Sequence, residues 1–168
     1  MLAAVLFSVA AFAQLTPSQL VTWTPSVENV EGDLYRVVFT GKVAQGYHTY
    51  TLTDEFSATE IMDVEITGGE LIGEPYEINT PKEVTDEFGE PAKHFYDEII
   101  LGQDIKVTGD KATYKGTIFS NACTSGTCKA EYYDFKVSIG DNAATAAADE
   151  PLPGQRPRAL RRRDLHQQ

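Results

Sequence analysis

The sequence has little of what nucleic-acid-binding or membrane-spanning proteins require. Its 168 residues include 14 lysines and arginines against 25 aspartates and glutamates, so the formal net charge is −11. Such an acidic chain is a poor match for nucleic acid, whose phosphates are neutralised by basic patches. After residue 140 there is no apolar run of about eighteen residues, the length that a membrane-spanning helix needs. We therefore predict neither nucleic-acid binding nor a membrane span in this chain.

Helical periodicity is also missing, and strand-like alternation takes its place. In the segment 34–43, Tyr35, Val37 and Phe39 fall on one face, as in a strand with one buried side. Further strands are predicted at 47–52, 63–67, 94–101, 104–108, 112–119 and 132–139. Residues 74–93 contain three prolines and Gly89, and they are predicted to form a long irregular loop. Many short strands separated by turn residues predict an all-β, antiparallel β-sandwich.

The two ends of the chain differ from its body. Residues 1–13 form a short apolar run that ends in Ala11-Phe12-Ala13, a pattern typical of a secretory signal peptide. Residues 14–140 are predicted to form the folded domain. Residues 141–168 are predicted to be a linker and a disordered, arginine-rich tail, since five of the six arginines follow Pro151. We assign the tail no function.

The chain has only two cysteines, Cys123 and Cys128, in the stretch 121–129. The small and flexible residues between them, including Gly126, allow the backbone to turn back, and export would place the pair in an oxidising compartment. A bridge over so short a loop contributes only about 2 kcal/mol, and a body of this size needs no staple. A structural bridge and a redox-active pair both remain possible, but a position in a turn between two strands favours the redox role.

Three other interpretations stay open at this point. Cys123 and Cys128 could bind zinc together with His48 and His94, although these histidines lack the usual paired spacing. A cysteine nucleophile could use a histidine and Asn121. The chain could also be a non-catalytic, acidic binding module whose disulfide is structural, because a β-sandwich hosts many functions.

Four features in a fixed order resemble one known family. They are the segment 46–50 (Gly-Tyr-His-Thr-Tyr), the segment 86–88 (Asp-Glu-Phe), the segment 95–98 (Phe-Tyr-Asp-Glu) and the cysteine pair between two late strands. Over residues 23–139 the sequence resembles the periplasmic N-terminal domain of the thiol:disulfide interchange protein DsbD. The resemblance implies an immunoglobulin-like domain in the periplasm. Such a domain receives electrons from one thioredoxin-like protein and passes them to others, such as disulfide isomerases and cytochrome c maturation proteins.

The resemblance also implies roles for individual residues. Cys128 matches the cysteine that forms the mixed disulfide with a partner, and Cys123 matches the one that resolves it. Phe88 matches a cap-loop phenylalanine that shields the disulfide. The resemblance implies no cofactor beyond the redox-active disulfide and no metal.

Three further residues would surround the disulfide. Asp86 and Glu87 match acidic residues beside the site, where carboxylates raise the pKa of a thiol. Tyr50 matches a tyrosine that packs nearby. His48 stands where the best-known members have a tyrosine. A second departure is Lys129-Ala130, which replaces a common proline pair.

Overall fold

The structure is a computed structural model that describes residues 19–86, 88–140 and 146–147, the last two by their backbone only. The predicted signal peptide (1–13), Glu87 and nearly all of the predicted linker and tail (141–168) lie outside the described residues. Within the described part, strands account for 71% of the residues and no helix occurs. That part accordingly has no helix long and apolar enough to cross a membrane.

The described residues form eleven strands that pair in antiparallel fashion. In chain order they are β1 (Val21–Glu31), β2 (Leu34–Val43), β3 (Thr49–Tyr50), β4 (Glu60–Thr67), β5 (Gly69–Glu77), β6 (Lys82–Thr85), β7 (Pro91–Phe95), β8 (Glu98–Val107), β9 (Lys111–Cys123), β10 (Cys128–Gly140) and β11 (Ala146–Ala147). One four-stranded sheet has the order β1-β2-β8-β5, and a second has the order β11-β10-β9-β4. A small third sheet has the order β3-β7-β6.

The core lies between the two larger sheets. Strand β1 shows the cause, because Val21, Trp23 and Pro25 are buried while the residues between them are exposed. The rings of Phe39, Tyr114 and Phe135 pack together with centroids 4.6 to 6.3 Å apart. Phe39 belongs to one sheet and the other two rings to its neighbour, so this cluster joins the sheets. The prediction of an all-β, immunoglobulin-like antiparallel sandwich is confirmed.

The prediction of an irregular loop over residues 74–93 is wrong. This segment contains the end of β5, all of β6 and the start of β7, and β6 and β7 form a hairpin. The prolines in this segment suggested a loop, but strands accept proline at bulges and at first positions. Pro75 lies where the pairing of β5 shifts its register, and Pro91 is the first residue of β7.

The boundaries predicted for the next two strands also need correction. One strand was expected over residues 94–101 and another over 104–108, whereas β7 ends at Phe95 and β8 runs without a break from Glu98 to Val107. Gly102 lies inside β8 because a side chain packs over it. A Cβ atom on Gly102 would lie 2.7 Å from the ring of Tyr76. This glycine therefore marks a close approach of two strands and not a turn.

The small third sheet connects the cysteine hairpin to the β6–β7 hairpin. Strand β3 pairs with β7, which pairs in turn with β6. One residue before β3, His48 forms an isolated antiparallel bridge with Cys123 at the end of β9. A continuous path of backbone pairing thus runs from the cysteines through His48 to β7 and β6.

Candidate functional site

Cys123 and Cys128 form a disulfide at the end of the β9–β10 hairpin. They are direct partners in the register, and their Cα atoms are 4.0 Å apart. Cys123 directs its backbone N–H and C=O away from Cys128 and towards His48, with both hydrogen bonds 2.9 Å long. The cysteines therefore occupy a non-hydrogen-bonded position, where opposite residues of antiparallel strands come closest. The sequence left open whether the two sulfurs bond to each other. This register brings them together, and they form a disulfide.

The two cysteines differ in their access to solvent. Cys123 is only 1% exposed, whereas Cys128 is exposed. The turn between them is closed by Thr124, whose N–H donates to the carbonyl of Thr127 at 2.8 Å. Since Cys123 lies beneath the surface, an incoming thiol meets Cys128 first.

His48 is the neighbour of the disulfide on the small sheet. Directly paired residues of antiparallel strands project from the same face, so His48 and Cys123 share one face. The His48 ring stacks on His94 with centroids 4.1 Å apart, and its Nε2 lies 3.3 Å from the hydroxyl of Tyr50. Tyr96 completes the cluster at 5.6 Å from His48. The predicted site residues His48 and Tyr50 thus lie together beside the cysteine hairpin.

Burial favours the neutral form of both imidazoles. The pKa of His48 is lowered by burial and further by the proximity of His94. The pKa of His94 is lowered by burial, against the opposing pull of the Asp54 and Asp86 carboxylates. His94 is 7% exposed, and its Nδ1 has no hydrogen-bond partner among the described residues. Sequence reasoning named His94 only as a possible zinc ligand and missed its stacking on His48.

Asp86 organises the tip of the β6–β7 hairpin. Its Oδ1 accepts hydrogen bonds from the backbone N–H groups of Phe88, at 2.9 Å, and Glu90, at 2.8 Å. Phe88 is 82% exposed, so its ring covers little of the protein in this structure. Its role as a cap over the disulfide remains a prediction, as does the role of Glu87, which lies outside the described residues.

A second loop repeats this arrangement after β3. Thr53-Asp-Glu-Phe56 has the same four residues as Thr85-Asp-Glu-Phe88. The Oδ1 atom of Asp54 accepts hydrogen bonds from the N–H groups of Phe56, at 3.0 Å, and Ser57, at 2.7 Å. Phe56 is 93% exposed. Sequence reasoning missed this loop, although the repeated tetrapeptide was a visible signal for it.

Glu131 ties the start of β1 to the cysteine-bearing strand β10. Its carboxylate accepts hydrogen bonds of 2.8 to 2.9 Å from the backbone N–H groups of Leu20 and Val21, and it forms an ion pair with Lys129. Burial would raise the pKa of Glu131, but these hydrogen bonds outweigh it and the pKa is lowered. The carboxylate is thus held ionised next to the cysteine hairpin.

The zinc interpretation gains no support from the described residues. Among them there is no group of three or more histidine, cysteine, aspartate or glutamate side chains arranged to hold a metal ion. His48 and His94 do lie together, but both cysteine sulfurs are bonded to each other.

Fold and site together define an all-β sandwich domain with a disulfide at the end of a hairpin. No family model matches the chain, and no curated protein matches it significantly. Among solved structures the chain is similar to the N-terminal domain of DsbD from Neisseria meningitidis in its reduced form. The identity is 20%, the TM-score is 0.45, and the match covers 80% of this chain and 96% of the other.

A second solved structure contains the same kind of domain. It is the complex between the DsbD N-terminal and PilB N-terminal domains of Neisseria meningitidis, with 20% identity, a TM-score of 0.44, and coverage of 76% of this chain and 89% of the other. The resemblance to DsbD N-terminal domains that the sequence suggests is confirmed as a likeness. Neither match, at this identity and TM-score, assigns a role to an individual residue of this chain.

Proposed function

We propose that this chain is a periplasmic thiol:disulfide exchange domain that passes electrons through Cys123 and Cys128 to thioredoxin-like proteins. The observation that carries the proposal is the unequal exposure of the two cysteines, with Cys128 at the surface and Cys123 1% exposed beneath it. Exchange needs one sulfur that a partner can reach and a second that stays close to resolve the intermediate.

The proposed reaction begins with the reduced pair. The Cys128 thiolate attacks one sulfur of the partner's disulfide, a mixed disulfide forms, and the partner's other sulfur leaves as a thiolate. Cys123 then loses its proton and attacks Cys128, which releases the partner's second sulfur. Two electrons pass to the partner, its two thiolates take up the two protons, and the Cys123–Cys128 disulfide is formed. A separate thioredoxin-like donor returns the pair to the dithiol by the same steps in reverse.

Carboxylates close to the cysteines would suit a relay that must keep its reduced thiols from stray oxidants. Asp86 lies at the tip of the hairpin that is connected to Cys123 through β7, β3 and His48. Negative charge near a thiol disfavours the thiolate, which keeps the reduced pair slow towards stray oxidants. We propose that Asp86 and Glu87 act in this way and that Phe88 shields the disulfide until a partner displaces it.

The trapping of a mixed disulfide tests the proposed roles of the cysteines. Cys123→Ser removes the resolving sulfur, so it should accumulate a mixed disulfide with an oxidised thioredoxin-like protein. Cys128→Ser should accumulate roughly tenfold less, because its remaining sulfur is buried. Mass spectrometry under non-reducing conditions measures both adducts. Equal trapping by the two variants would contradict the assignment.

The reduction potential of the pair separates this function from a structural disulfide in an acidic binding module. An exchange domain should equilibrate with thioredoxin-like proteins, whereas structural bridges typically have potentials below about −300 mV. Redox titration against glutathione or dithiothreitol buffers gives the value. A bridge that resists every such partner would favour the binding module.

A further inference from the structure

The two Thr-Asp-Glu-Phe loops share one side-chain hydrogen bond. In each, the aspartate Oδ1 accepts the N–H of the phenylalanine two residues later, at 3.0 Å for Phe56 and 2.9 Å for Phe88. This bond fixes the backbone at the loop tip. The base of the first loop is fixed as well, because Thr59 donates to Tyr50 through its hydroxyl and to Thr51 through its N–H. The second loop is closed by the hydrogen bond from Asp86 N–H to the Glu90 carbonyl.

The loops leave the small sheet at the same end. Strand β3 runs antiparallel to β7, with Tyr50 opposite His94, so residues after Tyr50 and residues before Pro91 extend in one direction. The carboxylates of Asp54 and Asp86 both act electrostatically on His94. Register and charge therefore both place the two loops close to each other.

Each loop holds a large apolar ring in solvent. Phe56 and Phe88 are 93% and 82% exposed, and the next most exposed large hydrophobic residue among the described ones is Tyr132 at 63%. Exposed aromatic rings held on ordered backbone are typical of anchors for a partner protein.

The charge around the rings indicates what kind of partner fits. Residues 53–60 and 85–92 each carry three acidic side chains and neither segment contains a lysine or an arginine. A second copy of this chain would bring these like charges together, which disfavours self-association. A surface that is apolar at its centre and cationic at its rim complements both the rings and the charges.

We propose that Phe56 and Phe88 form a two-pronged docking surface for the protein that exchanges disulfides with Cys123–Cys128, and that this partner presents an apolar patch rimmed by cationic side chains. The proposal rests on the proposed function and adds to it a contact that lies outside the cysteine hairpin. The loop 53–57 thereby becomes a second recognition element beside the β6–β7 hairpin.

Exchange kinetics with defined probes test the proposal. The reduced protein is mixed with synthetic 20-residue peptides that hold an internal disulfide flanked by leucine and lysine, or by leucine and glutamate. Glutathione disulfide serves as a probe too small to dock. The variants are Phe56→Ser and Phe88→Ser. The matched control is Val30→Ser. Val30 is an apolar residue, 44% exposed, near the C-terminal end of β1, whereas Glu131 binds the start of that strand.

The unmodified protein should react roughly tenfold faster with the leucine–lysine peptide than with the leucine–glutamate peptide. Phe56→Ser should slow the leucine–lysine reaction roughly tenfold and leave the glutathione rate unchanged. Phe88→Ser should lower the ratio of the leucine–lysine rate to the glutathione rate roughly tenfold, because the loss of its shielding acts on both reactions and the loss of docking on the peptide alone. Val30→Ser should change neither rate. Glu55→Gln should reduce the preference for lysine over glutamate, whereas Glu31→Gln, an exposed acidic residue at the far end of β1, should not.

Each contrary outcome has a distinct meaning. If Phe56→Ser reacts like Val30→Ser with both peptides, the two-pronged surface is wrong while the exchange function stands. An equal rate with the two peptides in the unmodified protein would overturn the cationic partner. Lack of reaction with glutathione disulfide and with both peptides would overturn the proposed function itself, and the docking surface with it.

Discussion

His48 and His94 stack with their ring centroids 4.1 Å apart on the small sheet, where His48 is also the backbone partner of Cys123. The groups that face this pair are the hydroxyl of Tyr50, the ring of Tyr96 and the carboxylates of Asp54 and Asp86. The two carboxylates would favour a positive imidazole, but burial outweighs them at His94. Two positive rings at this distance would also repel each other.

This arrangement predicts that stability falls as the pH drops below 6.5. In the unfolded chain each histidine takes up a proton near pH 6.5, whereas in the folded chain the pKa of both is lowered. The unfolded state binds protons at a higher pH than the folded state does. The contribution of the two histidines to stability is therefore complete above pH 6.5 and is lost as the pH falls towards their folded pKa values. Urea unfolding at intervals from pH 7.5 to 5.5 measures the slope.

Substitution of single histidines locates the effect. His48→Gln and His94→Gln should each make the slope shallower. The third histidine, His166, belongs to the arginine-rich segment, and His166→Gln serves as the matched control whose slope should equal that of the unmodified protein. Stability that stays constant or rises from pH 6.5 to 5.5 would contradict the neutral, stacked pair.

At the scale of elements, the β9–β10 hairpin is held from one side by the start of β1. Glu131→Gln keeps the size of the side chain but removes the charge that accepts the N–H groups of Leu20 and Val21. We expect the free energy of unfolding at pH 7 to fall by about 1 to 2 kcal/mol, since charge-assisted hydrogen bonds are lost. Chemical denaturation measures the difference.

The pH dependence of this effect has a defined sign. The folded pKa of Glu131 lies below its ordinary value of 4.5, so its contribution is present above pH 4.5 and disappears as the pH falls through the folded pKa. The difference in the free energy of unfolding between Glu131→Gln and the unmodified protein should therefore become smaller at acidic pH. The control is Glu65→Gln, which breaks the exposed ion pair with Lys115 and should cost less than about 0.5 kcal/mol. Equal losses for both variants would show that Glu131 does not clamp β1.

At the scale of the whole molecule, the disulfide lies apart from the contacts that join the sheets. The ring cluster of Phe39, Tyr114 and Phe135 lies between the sheets, while the disulfide links adjacent strands at the end of one hairpin. The bridge closes a sequence separation of only five residues. Its loss should therefore leave the sandwich folded.

We expect reduction to lower the free energy of unfolding by about 2 kcal/mol, the entropic contribution of so short a loop. Circular dichroism in the aromatic region should be retained in dithiothreitol, and urea unfolding of both redox forms gives the difference. The Cys123→Ser/Cys128→Ser double variant controls for direct effects of the reductant. Unfolding on reduction would mark the bridge as a structural staple and contradict the exchange function.

Much of this architecture is readable from local pattern. The alternation of Tyr35, Val37 and Phe39 places one face of β2 inward, and similar patterns reveal most of the sandwich. Where glycine or proline interrupts the alternation, the strands predicted from the sequence are wrong. Gly102 resembles a break but gives room for the ring of Tyr76, and Pro75 and Pro91 resemble a loop but lie at a bulge and a strand start. The packing of Tyr76 decides the first case and the pairing between strands decides the other two, and the local sequence specifies neither.

The sequence by itself determined the strand-rich class of the domain, its acidic surface and the nearness of its two cysteines, because periodicity, charge and short spacing are local properties. Only the tertiary structure decided that Cys123 is buried and Cys128 exposed, that His48 pairs with Cys123 and stacks on His94, and that two Thr-Asp-Glu-Phe loops leave one sheet at the same end. These features depend on the register between strands that are distant along the chain. Register is set by the burial of whole faces against one another, and it is therefore a property of the assembled sheets.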